Sequence, residues 1–246
     1  TEEQPITVVS VMAVNNEVGS ITPMRDVARI VRRYAPNAIL HTDAVQAACW
    51  VDLREITPLV DALSLSAHKF GGPKGVGVMV IKTGKNLEPL IFGGGQERDR
   101  RSGTHNVSGI IATAKALEVT DATRAEESVR VTKLRDRLVD EIRAQVDGVL
   151  ETVPREHRVP GVAHICFSGL ENEALLFLLD QADVYASAAS ACASGAMEPS
   201  HVLEAMGVER SWSNGALRLS LGHTTTDAEI DLAVSAIVSA VNQLRR

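Results

Sequence analysis

The chain has 246 residues, 45% of them hydrophobic and only 3% aromatic, which is enough for one or two sizeable cores. A formal charge of −6 argues against a general nucleic-acid or membrane-surface binder, and no apolar run is long enough to span a bilayer. Cys49, Cys166 and Cys192 are too few and too scattered for a disulfide framework and show no zinc-site spacing, which fits a reducing, cytoplasmic setting with no metal.

In chain order, 6–12 is rich in β-branched residues and reads as a buried strand. Pro23 marks a helix start, and Val27, Ile30, Val31 and Tyr34 follow at helical spacing. Further strands are expected over 38–42, 62–66 and 76–82. Strands separated by helices predict an α/β architecture with a largely parallel sheet. Ligands of such folds bind at the carboxyl ends of the strands, where Asp43 and Lys69 fall. An apolar helix is expected over 107–119 and a long amphipathic helix over 123–146, with a domain boundary near 122. The remainder reads as a smaller α+β domain: strand 162–167, helix 171–179, a loop holding Cys192, helix 200–206, strand 217–221 and helix 227–244.

Ser66-Ala67-His68-Lys69-Phe70-Gly71-Gly72-Pro73-Lys74-Gly75 sets a lysine after an apolar run and before a glycine-rich turn. A lysine desolvated there has a lowered pKa and becomes a usable amine nucleophile, as a Schiff base requires. A surface lysine in a turn is the plainer alternative. Asp43 closes the strand Ile39-Leu40-His41-Thr42, where an aspartate also serves as a turn cap. Phe92-Gly93-Gly94-Gly95-Gln96-Glu97-Arg98 leads to Arg101-Ser102-Gly103-Thr104, and Cys192 lies in the small-residue stretch Ser187-Ala188-Ala189-Ser190-Ala191-Cys192-Ala193-Ser194-Gly195. A thiol with few bulky neighbours is accessible, whereas Cys49 and Cys166 sit among apolar residues and fit buried structural thiols.

In this order the blocks resemble the cysteine desulfurases, pyridoxal 5′-phosphate enzymes of the class V aminotransferase group. The resemblance implies the type I fold, of the aspartate aminotransferase type, with 1–122 the remainder of the large cofactor-binding domain and 123–246 the small C-terminal domain with the catalytic cysteine. It implies that the N-terminal third of such enzymes precedes Thr1, with a glycine/threonine phosphate loop and a ring-stacking histidine. By the same resemblance Lys69 is the Schiff-base lysine and the base for the substrate Cα proton. Asp43 faces the ring nitrogen, Gln46 the ring hydroxyl, and Ser66 and His68 the phosphate. Thr104 reaches the phosphate of a neighbouring subunit in a homodimer. Asn16, in Val14-Asn15-Asn16-Glu17-Val18-Gly19, lies beside cofactor and substrate carboxylate, and Arg218 clamps that carboxylate.

The resemblance implies that Cys192 takes the sulfur of L-cysteine as a persulfide, that L-alanine leaves, and that the sulfur passes to an iron–sulfur scaffold or another acceptor protein. Two departures stand out: Ala189 replaces a family glycine, and His223 stands where many members have arginine. An aminotransferase or a selenocysteine lyase of the same group would keep Asp43, Gln46 and Lys69. A partner-binding piece without turnover is the reading from another class.

Overall fold

The computed structural model describes residues 5–85, 87–188 and 200–246. It divides into two units, one holding the chain up to Val14 and Thr22–Arg124, the other Asn15–Ile21 and Ala125–Arg246. The short stretch Asn15–Ile21 thus belongs with residues more than a hundred positions later, a grouping that a boundary drawn at 122 does not capture.

In the first unit β1 (Val8–Met12) is followed by α1 (Met24–Tyr34), β2 (Ile39–Asp43), the short α2 (Leu53–Ile56), β3 (Ala62–Ser66), a 3₁₀ turn (Ala67–Phe70) and β4 (Gly77–Ile81). The sheet order is β1-β2-β3-β4, with the first three strands parallel and β4 antiparallel to β3. Alternation along the strands sets the two faces. Leu40, Thr42, Leu63 and Leu65 are buried on one face. The opposite face carries Ser10, His41, Asp43, Ser64 and Ser66, which are exposed or half-buried.

His41 stitches three strands together there, with Nδ1 2.8 Å from Ser10 Oγ and Nε2 3.2 Å from Ser64 Oγ. β1 is therefore not the fully buried strand its composition suggests, because Val8 is 56% exposed. α1 begins after Pro23 as expected, but it buries Met24, Ala28 and Val31 and leaves Ile30 and Tyr34 exposed. The helical period is right and the stripe is rotated, since small Ala28 allows close approach where the larger residues cannot all fit.

A two-residue hairpin, β5 (Gly95–Gln96) and β6 (Arg101–Ser102), follows. Next comes one continuous helix, α3 (Val107–Gln145), of 39 residues. The sequence reading broke it near 120. The residues there, Thr120-Asp121-Ala122-Thr123, contain neither glycine nor proline, so nothing stops the helix.

The second unit is built on the antiparallel sheet β7 (Val149–Glu151), β8 (Val162–Phe167) and β9 (Ala216–Ser220), in that spatial order. Around it come α4 (Asn172–Gln181), α5 (His201–Ala205), α6 (Arg210–Ser213) and α7 (Asp227–Leu244). Thr226 and Glu229 form a reciprocal capping box at the start of α7. Val18, Val153, Cys166, Leu203 and Ala216 form a core cluster, and burial pushes the Cys166 thiol up to about 12, as suits an inert structural cysteine.

The Asn15–Ile21 segment is fixed by backbone hydrogen bonds from Val159 N to Gly19 O (2.9 Å) and from Ile21 N to His157 O (2.8 Å). Beneath it lie two buried arginines. Arg158 Nη2 donates to Glu151 at 2.6 Å, and Arg135 Nε donates to Asp136 at 2.9 Å. Arg135 Nη1 also donates to Val159 O at 3.0 Å, whereas Arg158 Nε and Nη1 are buried without a protein partner, so Glu151 carries most of the compensation for that charge.

Candidate functional site

Asp43 lies at, and Lys69 just past, the carboxyl ends of two neighbouring parallel strands. Asp43 ends β2 and pairs in register with Ser64, so Ser66 stands two residues further along β3 on the same face. Asp43 Oδ1 accepts the Val45 N–H at 2.9 Å and starts the turn that carries Gln46. No described residue engages the other carboxylate oxygen of Asp43, so it is available to a ligand. Ser66 Oγ lies 2.9 Å from His68 Nδ1, which directs Nε2 of that ring elsewhere.

Lys69 sits in the 3₁₀ turn, which ends at Gly71 in a left-handed conformation (φ 83°) that glycine adopts without strain. The chain exposes Lys69, contrary to the desolvated lysine the apolar run suggested. The turn lifts the side chain clear of the strand, whose last inward residue is Leu65. Lys69 Nζ forms no ion pair among the described residues. Thr104 follows the β5–β6 hairpin and is exposed. Glu97, Arg98 and Asp99 at the hairpin tip all have positive φ (51°, 58° and 62°), a run that L-residues rarely sustain. Glu97 is tied to His105 Nε2 at 2.9 Å, beside Thr104.

In the second unit Asn16 and Arg218 come together. Arg218 Nη1 donates to the Asn16 carbonyl at 3.1 Å, while the buried Arg218 Nε has no protein partner. Opposite Arg218 in the β8–β9 ladder is His164. Its Nδ1 lies 3.0 Å from Thr152 Oγ1, and its Nε2 is buried without a partner. Burial, followed by the nearby Arg218 charge, presses the His164 pKa down to about 4, so the ring is neutral at neutral pH. Orphaned buried donors are costly unless a ligand or water meets them, and Arg218 Nε shares that condition with Arg158 Nε and Nη1.

Glu17 is buried one residue after Asn16, and it accepts a 2.5 Å hydrogen bond from Ser200 Oγ. Ser200 also caps α5. Sequence reasoning missed Glu17, Ser200 and His164. The only local signal was Ser200 before a short apolar helix, the usual form of an N-cap. Cys192 and Ala189 lie outside the described residues. At the near end of that stretch, Ser187 exchanges backbone hydrogen bonds with Arg218 (3.2 and 2.8 Å).

The aminotransferase class-V family model matches residues 3–232. The chain belongs to the class-V aminotransferase family. Among curated members of this family, it is 41% identical over 239 residues to the cysteine desulfurase IscS of Clostridium botulinum, covering 96% of this chain and 60% of that protein. It is 41% identical over 242 residues to an IscS-like cysteine desulfurase of Mycobacterium tuberculosis, covering 98% and 61%. Among solved structures, a NifS-like protein superposes with a TM-score of 0.87 at 38% identity, covering 97% of this chain and 62% of that one. The fold is that of the type I pyridoxal-phosphate transferases. The chain spans about 60% of the length of the curated relatives it matches. Among the described residues no helix is long and apolar enough to cross a membrane.

Proposed function

We propose that the chain is the greater part of a pyridoxal-phosphate-dependent cysteine desulfurase. In this reading 1–122 is the remainder of the large cofactor-binding domain and 123–246 the small domain bearing Cys192. The observation that carries the reading is the placement of Asp43, Ser66, His68 and Lys69 along one edge of the β2–β3 pair, with a carboxylate oxygen and an amine both unspent. This donor set fits the cofactor. Asp43 would hold the proton on its ring nitrogen, Gln46 would donate to its hydroxyl, and Ser66 and His68 would hold its phosphate. Bound there, the group supplies an electron sink for bonds at the substrate Cα.

The chain's own residues do the rest. Arg218 and Asn16 bind and orient the carboxylate of L-cysteine, the guanidinium in a planar two-point contact. Lys69 Nζ takes the Cα proton. The Cys192 thiolate accepts the substrate sulfur as a persulfide, and L-alanine leaves. The sulfur passes to an iron–sulfur scaffold or another acceptor protein, in a cytoplasmic setting. Thr104 serves the phosphate of a second copy in a homodimer. The exposed run Leu90, Ile91 and Phe92, just before the glycine-rich loop, supports burial against such a copy.

The test is the visible absorbance of the purified chain with added pyridoxal phosphate. A band present in the chain and lost in Lys69→Ala is the expected result. A band indifferent to Lys69 would overturn the assignment of this lysine, whereas no band in either protein would show that the pocket needs the segment that the resemblance places before Thr1. Replacing Cys192 with alanine then separates a desulfurase, which loses persulfide formation, from an aminotransferase, which keeps its activity.

A further inference from the structure

The turn that carries Lys69 is held by two side chains that no motif singles out for this purpose. The Cys49 thiol donates to the Lys69 carbonyl at 3.2 Å. The Thr120 hydroxyl, on α3, donates to the Phe70 carbonyl, also at 3.2 Å. Within the turn, Gly71 N and Gly72 N (the latter at 2.9 Å) bond to the Ala67 carbonyl. The carbonyls of Lys69 and Phe70 therefore owe their partners to residues 20 and 50 positions away in sequence.

Cys49 lies on the turn that follows Asp43 and carries Gln46. That turn is closed by Ala47 N to Ala44 O (2.9 Å) and by Trp50 N to Ala47 O (2.9 Å). The S–H···O bond thus ties the Asp43–Gln46 turn directly to the Lys69 turn.

We propose that Cys49 and Thr120 are positioning residues for Lys69, fixing its turn against the turn that bears Asp43 and Gln46. The inference rests on the reading of Lys69 as the reactive amine. An exposed lysine on a one-turn helix has little packing of its own to hold its Cα in place, so these two hydrogen bonds set where Nζ can reach. Cys49 is a donor here only as a thiol. Burial pushes its pKa up, against the opposing pull of Arg124, and keeps the proton in place. A serine supplies the same donor in a smaller atom, and alanine supplies none.

The test is amide hydrogen exchange of the chain over residues 66–72 in Cys49→Ala, Cys49→Ser and Thr120→Val, followed by the rate at which added pyridoxal phosphate develops its visible band. Loss of one such bond is expected to speed exchange of the Gly71 and Gly72 amides about 3- to 10-fold in Cys49→Ala and in Thr120→Val, with Cys49→Ser close to the parent. Band development should slow in the same order and recover in the serine variant. Exchange unchanged in the alanine and valine variants overturns the inference, as does a rise that serine fails to rescue or that spreads over the whole first unit. If the parent chain develops no band, the exchange pattern alone decides whether Cys49 and Thr120 hold the Lys69 turn, and a band that survives Lys69→Ala is what defeats the reading of Lys69 as the cofactor lysine.

Discussion

Arg218 Nη1 and the Asn16 carbonyl are joined by a 3.1 Å hydrogen bond that spans 202 positions of sequence. One arm of the guanidinium is thereby spent on orienting the group, and the orphaned Nε is among the donors that the proposed carboxylate contact would use. Lysine keeps the charge but loses the planar fork and the second anchoring donor. Under the proposed function, Arg218→Lys should raise the KM for L-cysteine about tenfold, a loss of ~1.4 kcal/mol in binding, with kcat changed much less. Equal KM values in the two proteins would remove Arg218 from the carboxylate site.

Ser200 does two jobs with one hydroxyl. It accepts from Val202 N (3.2 Å) and Leu203 N (3.3 Å) as the cap of α5, and it donates to the buried Glu17. Ser200→Ala removes the cap and leaves a buried carboxylate oxygen without its donor. The expected cost is about 2–3 kcal/mol of unfolding free energy in urea, with Ser200→Thr, which keeps the hydroxyl, losing far less. A cost below ~0.5 kcal/mol would mean that water replaces the Ser200 donor to Glu17.

Two glycines with left-handed backbones should respond differently to alanine. At Gly19 (φ 74°) an added Cβ would lie 2.8 Å from Val162 Cβ, at the crossing of the Asn15–Ile21 segment over β8. At Gly71 (φ 83°) the same atom meets nothing within 4 Å. Gly71→Ala should cost only the conformational penalty, about 1 kcal/mol, whereas Gly19→Ala adds a steric clash and should cost about 3 kcal/mol. Thermal or urea unfolding of the two variants ranks them.

Much of this was legible in local sequence. The strand 62–66, the glycine-rich turn after Lys69 and the terminal helix from Asp227 to Leu244 each carry their own punctuation, and the structure places them where the pattern does. Asp43 and Lys69 fall at carboxyl strand ends, as the alternation of strands and helices implies. What the pattern could not show are facts of tertiary pairing. Glu17 meets Ser200 across 183 residues, and Asn15–Ile21 packs with the second unit through backbone bonds to 157–159. Lys69 is exposed because a 3₁₀ turn, shorter than any periodicity window, rotates it away from the strand's buried face.

His164 gives the chain a pH dependence whose sign the structure fixes. Its folded pKa of about 4 lies below the ordinary 6.5, so between those values the unfolded chain binds more protons than the folded one. Stability therefore falls as pH drops through that window, and protonation would set a second cation against Arg218 on the neighbouring strand. A shift of this size corresponds to about 3 kcal/mol lost by pH ~4. His164→Asn keeps a polar partner for Thr152 and has nothing to titrate. Urea unfolding of both proteins from about pH 7 to pH 4 should show the variant's curve flatter by about that amount, converging toward or crossing the parent at the acid end. Curves that stay parallel across the window would show that the imidazole titrates alike in both states and that its burial beside Arg218 carries no energetic weight.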